Sequence, residues 1–177
     1  MWNDALRNAN CSSRIVSLGS SGGMASMTEA RVAELHARKI TPELHHEIRR
    51  LWQIHSIAED KRDIPGLLST LSDDCVYELV QTGHQWPGHD GARRFYTEML
   101  AAFPDIHFDL QNIVIGPQGV FEEARVTGTH VGPWLNFPPP TGKPVHFDVL
   151  ILFPWDPERR KFKGERVWFQ LPHIDHH

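Results

Sequence analysis

Cysteine is scarce in this chain of 177 residues: Cys11 and Cys75 are the only two. Neither sits in CxxC spacing, which excludes a zinc ribbon or a disulfide framework and reads as two thiols in a reducing compartment. A basic excess is also missing. Eighteen Lys and Arg stand against 22 Asp and Glu, for a net charge of -4. The one basic run, Arg159-Arg160-Lys161, falls in a turn, so the charge pattern argues against nucleic acid. No apolar run reaches the ~18 residues that span a bilayer. The N-terminus lacks the charged region and long apolar stretch of a secretory signal. The expected setting is cytoplasmic, with neither membrane nor nucleic acid as partner.

Strong chemical motifs are missing too. Twelve histidines are present, yet no H-E-x-x-H or other ligand spacing occurs. His45 and His46 are adjacent on a helix and point apart, and the terminal "HIDHH" reads as a tail. No metal is expected. "PPPTGKP" lacks the first Gly and the Ser/Thr after Lys of a phosphate loop, and no G-x-S-x-G elbow exists.

What is present suffices for one core: 40% of residues are hydrophobic. Residues 1–27, rich in Ser, Gly and Asn, read as a disordered leader in which Met24 and Met27 are further plausible starts. Residues 28–40 read as an extra N-terminal helix, 41–172 as the folded domain, and 173–177 as a flexible tail. Thr41-Pro42-Glu43 combines an N-cap, a first-turn Pro and a first-turn acid. The helix it starts carries Leu44, Ile48, Leu51, His55 and Ala58 at steps of three and four, which places His55 on the core face. Asp63 reads as the cap of a short helix. A strand is expected near Cys75–Val80, then the loop "QTGHQWPGHDG", then a helix capped by Asp90 and ending near Pro104. Four long strands joined by turns follow, an antiparallel meander. Helices followed by strands indicate an α+β domain, with a curved antiparallel sheet covered by N-terminal helices. Such a cone encloses a small-molecule pocket.

Period two sorts the strand faces. In "VFEEARVTGTHV" the set Val120, Glu122, Ala124, Val126, Gly128 and His130 is the more apolar and is expected inside. The next strand splits into His146, Asp148, Leu150, Leu152 against Val145, Phe147, Val149, Ile151, Phe153. Both sets are apolar at the far end, so alternation does not choose between them.

The order "GTHVGPWLNFPPPTGKPVHFDVLILF", then a turn and "GERVWF", resembles the SnoaL-like polyketide cyclase family of the NTF2-like superfamily of cone-shaped α+β barrels. Gly128-Thr129-His130, Gly132, Pro139-Pro140-Thr141-Gly142-Lys143 and Trp168 carry the match, and Phe103-Pro104-Asp105 fits the family's helix end. The resemblance covers roughly residues 42–171. It implies a cofactor-independent enzyme for cyclisation, isomerisation or dehydration of a hydrophobic carbonyl compound. Asp148 would be the base and His130 the neighbouring donor. In many relatives the acid sits closer to the strand's apolar stretch, where this chain has Ile151. An aspartate in an apolar cone has its pKa raised, and a histidine beside it can tune it and donate to an oxyanion.

His55, Tyr77, His84, Trp86, Trp134, His146 and Trp168 are the candidate substrate-binding residues. Each has a plainer reading: a satisfied core histidine for His55, a rim filler for Trp86, core or wall for Tyr77 and Trp168. A homodimer through the exposed sheet face is expected. Alternative functions are a non-catalytic small-molecule-binding or structural protein, and a protein-interaction module using the sheet face.

Overall fold

The computed structural model describes residues 29–135 and 138–169. The expected leader 1–27 with Cys11 and the tail 173–177 lie outside the described residues. Helix α1 spans Glu29–Ala37, α2 Pro42–Asp60, α3 Ile64–Leu68 and α4 Gly88–Ala102. The strands are β1 Leu71–Leu79, β2 His84–Pro87, β3 His107–Gly116, β4 Gly119–Thr129, β5 Pro144–Asp156 and β6 Lys161–Phe169.

The helix starts follow from local chemistry. Thr41 Oγ1 accepts the Leu44 N–H at 3.2 Å, with Pro42 at the first helical position. Asp63 Oδ1 accepts the Gly66 N–H at 3.0 Å and starts α3. Asp90 is not the cap of α4. The helix begins at Gly88 after Pro87, and Asp90 falls in its first turn, where a carboxylate complements the helix dipole. The stretch expected to be all loop contains β2, which pairs antiparallel with β1 through Tyr77 and Trp86. Its four residues, bounded by Gly and Pro, are too few to show a period.

The six strands form one curved, unclosed sheet in the order β2-β1-β6-β5-β4-β3. β3 to β6 make the expected meander. β1 joins it parallel to β6, the single parallel pairing among the described residues. Helices α2, α3 and α4 cover the concave face. Ile48, Tyr77, Tyr96, Phe103, Phe153 and Phe162 are buried between them and the sheet. Burying side chains of this size contributes roughly 1.5–3 kcal/mol each.

β4 alternates as expected, with Val120, Glu122, Ala124 and Val126 buried and Phe121, Glu123, Arg125 and Thr127 exposed. On β5 it is Val149, Ile151 and Phe153 that are buried, while His146, Asp148 and Leu150 are exposed. The register fixes this: Ala124 opposes Val149 and Arg125 opposes Asp148, so the two strands share faces residue by residue.

β6 changes face part-way. The pairing with β5 shifts between Leu152 and Trp155. Phe162 is buried, and beyond Gly164 the buried side chains are Glu165 and Val167. Gly164 has φ of 103°, and a Cβ there would lie 2.1 Å from the Val76 carbonyl oxygen. Only glycine fits. The irregularity moves the odd-numbered residues of β6 onto the concave face and so aims Glu165 inward, a common use of a bulge beside a site.

Candidate functional site

Under the helices lies a narrow hollow with a cavity volume of about 30 Å³. The sheet supplies Leu79, Phe108, Phe147, Val149, Ile151, Val167 and Phe169. Phe95 and Met99 come from α4, and Ile106 and Trp134 from the connecting segments. Two polar side chains reach this apolar wall: Glu165 from β6 and Glu59 from the last turn of α2.

Glu165 is 3% exposed. Its Oε1 accepts from the Tyr96 hydroxyl at 2.7 Å and lies 2.9 Å from His55 Nε2. The Tyr77 hydroxyl extends the chain to Tyr96 at 3.4 Å. On the far side of the imidazole, His55 Nδ1 lies 2.6 Å from Thr70 Oγ1, and the Thr70 hydroxyl donates to the Leu67 carbonyl at 2.6 Å. That last bond uses the only threonine proton, so His55 Nδ1 must donate to Thr70. The hydrogen-bond pattern thus leaves one proton between Nε2 and Oε1. The pair is either imidazolium–carboxylate or imidazole–carboxylic acid, neutral as a unit in both forms. Edge-on contacts with Phe153 and Phe162 fix the imidazole plane.

Electrostatics in the hollow follow from dryness. Burial, and then the negative charge of Glu165, push the Tyr77 and Tyr96 hydroxyls well above the ordinary phenol range, so both stay protonated donors. Burial raises Glu59 well above the usual carboxylate range, with Glu165 and Glu122 adding like-charge repulsion. Glu122, on β4, is pushed up to about 7 by burial, against a 2.7 Å hydrogen bond from the Trp52 indole. Among the described residues no group of three or more His, Cys, Asp or Glu could hold a metal ion. No described helix is long and apolar enough to cross a membrane.

The Asp148–His130 pair expected from the sequence does not form in the hollow. Asp148 is exposed on the outer face and pairs with Arg125 at 3.3 Å. Ile151 stands in the wall instead. The reason is register: the apolar ends of both β5 residue sets concealed which one followed Ala124 inward. His130 is inside and 4% exposed, but its ring stacks on Phe103 at 4.8 Å. Its backbone bonds with Lys143 and Gly142 close the neck of the Pro-rich loop.

The other candidates divide. His55 is fully buried and holds Glu165 from behind; Tyr77 backs Tyr96. Trp134 is in the wall, edge-on to Phe95 and Phe103. Trp86 packs in the core against Phe95, and His84 stacks beside it while bonding to Thr82. His146 is exposed. Trp168 is on the outer face beside Phe121, under the Arg166 guanidinium. Neither can reach the hollow. Sequence reasoning passed over Glu59, Tyr96 and Glu165. One signal was available, a glycine inside a strand pattern directly before an acid, which marks a bulge.

Comparison with known proteins agrees with this architecture. A candidate SnoaL-like polyketide cyclase from Jannaschia sp. CCS1 superposes with a TM-score of 0.65 at 17% identity, over 76% of this chain and 92% of that one. AclR of Streptomyces galilaeus, a candidate hydroxylase, gives 0.58 at 20% identity over 72% and 81%. A protein of ketosteroid isomerase-like fold from Catenulispora acidiphila, in complex with trimethylamine, gives 0.57 at 14% identity over 75% and 88%. These likenesses establish the fold. No curated protein matches the chain. The SnoaL-like domain family matches residues 53–156, a range that includes His55, Glu59, Tyr96 and Glu122 and stops before Glu165. The chain therefore belongs to the SnoaL-like domain family.

Proposed function

We propose that the chain is an enzyme that performs cofactor-independent acid/base chemistry on a hydrophobic, carbonyl-bearing small molecule, by cyclisation, isomerisation or dehydration. Glu165 is its base. The observation that carries this reading is a buried carboxyl, Glu165, gripped by an imidazole and a tyrosine on a hollow that is apolar apart from it and Glu59. Removing a proton next to a carbonyl needs a base in a dry site, and a positioned base contributes about 10²–10⁴-fold. The contacts from His55 and Tyr96 both fall on Oε1 and orient the group. The names of the structural relatives, a cyclase and an isomerase-like fold, are in keeping with this class.

The hollow as it stands has room for about one water. A substrate enters only if a wall side chain moves. Trp134 and Ile106 are the wall residues outside regular structure. This tightness is what favours the second reading, a protein that encloses a small ligand without turning it over.

Hydrogen–deuterium exchange at the α-carbon of a panel of cyclic and aryl ketones, followed by NMR in D₂O, separates the two. Enzyme-dependent exchange that is lost in Glu165→Gln supports catalysis. Saturable binding of a panel ketone without exchange supports the binding reading.

The convex face of the sheet carries Val114, Phe121, Leu150 and Trp168, among the pairs Arg125–Asp148 and Arg166–Glu78. An apolar patch ringed by both charge signs suits a two-fold contact. A homodimer through this face is part of the proposal.

A further inference from the structure

The hollow has two carboxyl groups, and their surroundings differ. Glu165 is met by two polar side chains, His55 and Tyr96. Glu59 follows His55 by four residues on α2, so both project from one helix face toward the sheet. Glu59 lines the hollow, and no side-chain donor reaches its carboxyl among the described residues. An ionised carboxylate in that half-buried position would have no side-chain donor and would face a second acid. Glu165 therefore sits between two polar partners, and Glu59 sits where burial and neighbouring acids favour its neutral form. Two acids in one pocket with such different surroundings can divide the roles of base and acid.

We propose that Glu59 is the general acid of this pocket, giving its proton to the substrate's carbonyl oxygen while Glu165 takes one from the adjacent carbon. The proposal rests on the acid/base reading above and adds the residue that completes it. In the step, the C–H bond breaks and its proton passes to Glu165. The freed pair forms the C=C bond, the carbonyl π pair closes onto oxygen, and the O–H bond forms with the Glu59 proton. Glu59 is left as carboxylate and Glu165 as acid. Return of a proton to carbon, at the same or another position, and of the oxygen's proton to Glu59 restores both. Nothing else is consumed.

The test uses the full chain with 2-tetralone as the probe ketone, following α-exchange from pH 5 to 10. The charged groups facing Glu59 are Glu165 from β6, Glu122 from β4, and Asp60 and Arg62 from its own segment. The expected result is a loss of about 10²-fold or more in Glu59→Gln. The alkaline fall of the wild-type rate, where Glu59 ionises, should vanish in Glu59→Gln. In Glu122→Gln it should move to lower pH, because one repelling charge is gone. Independently of any substrate, infrared spectra with ¹³C-labelled glutamate at pH 8 should show a protonated-carboxyl band that Glu59→Gln removes. If Glu59→Gln keeps the wild-type near-UV circular dichroism and exchanges at the wild-type rate while Glu165→Gln is inactive, Glu59 is not the acid and the base assignment stands. If neither variant slows exchange, both assignments fall. If the wild type does not exchange 2-tetralone, the infrared band decides, and a band unchanged in Glu59→Gln overturns the proposal.

Discussion

His55 and Glu165 stand 110 positions apart in the chain, yet Nε2 of one lies 2.9 Å from Oε1 of the other, with both side chains out of water. The contact ties α2 to β6 across the concave face, at the wall of the hollow.

Replacing His55 by Leu leaves the Glu165 carboxyl buried without its imidazole. Removing one partner of a buried pair costs roughly 3–5 kcal/mol. Urea unfolding at pH 7 should show a loss of about 3 kcal/mol or more; a loss below ~1 kcal/mol would mean the pair does not hold α2 to the sheet.

Gly164→Ala tests the turn of β6. A methyl group there meets the Val76 carbonyl oxygen at 2.1 Å, on a backbone with φ of 103°. The strain, of order 1–3 kcal/mol for the backbone alone, adds to the clash. The melting temperature should fall by about 4–8 °C for a loss near 2 kcal/mol. A melting temperature within a degree of wild type would show that the bulge does not need glycine.

Much of the fold can be read from the residues, because capping and turn chemistry act locally. Thr41 and Asp63 start helices where they stand, and the β4 face follows from Glu122, Ala124 and Val126 alternating with charged neighbours. The site is another matter. β5 has Leu150 and Leu152 outside opposite Val149 and Ile151 inside, so hydrophobicity carries no direction there; pairing with β4 supplies it. Glu165 is reached only through the irregularity at Gly164, which strict alternation cannot represent. Glu59, in the last turn of α2, resembles a solvent-facing acid until the tertiary structure brings it beside the hollow. His55, on the apolar stripe of α2, was legible because helix period alone places it inside.

Glu122→Gln makes a prediction about pH. The native carboxyl is pushed up to about 7, above the ordinary value near 4.5. Both states are protonated at pH 4, and from about 4.5 upward the unfolded chain ionises first. The wild type therefore loses stability, relative to the variant, between pH 4.5 and 7. Glutamine keeps an acceptor for the Trp52 indole. Urea unfolding at several pH values should give a difference near zero at pH 4, growing to as much as about 3 kcal/mol in favour of Glu122→Gln by pH 7.5. A difference that is flat or shrinks with pH would contradict the burial of this charge.

The convex face predicts an assembly. Light scattering behind size exclusion should give twice the 20.3 kDa chain mass for the wild type and the chain mass for Leu150→Glu. A wild-type monomer at tens of micromolar would remove the dimer from the account.

The most direct measurement is α-proton exchange of 2-tetralone by Glu165→Gln beside Asp148→Asn, each against wild type. The account predicts a drop of about 10³-fold for Glu165→Gln. It predicts an unchanged rate for Asp148→Asn, whose exposed pair with Arg125 also contributes less than about 1 kcal/mol to stability. Exchange that survives in Glu165→Gln and is lost in Asp148→Asn would contradict it.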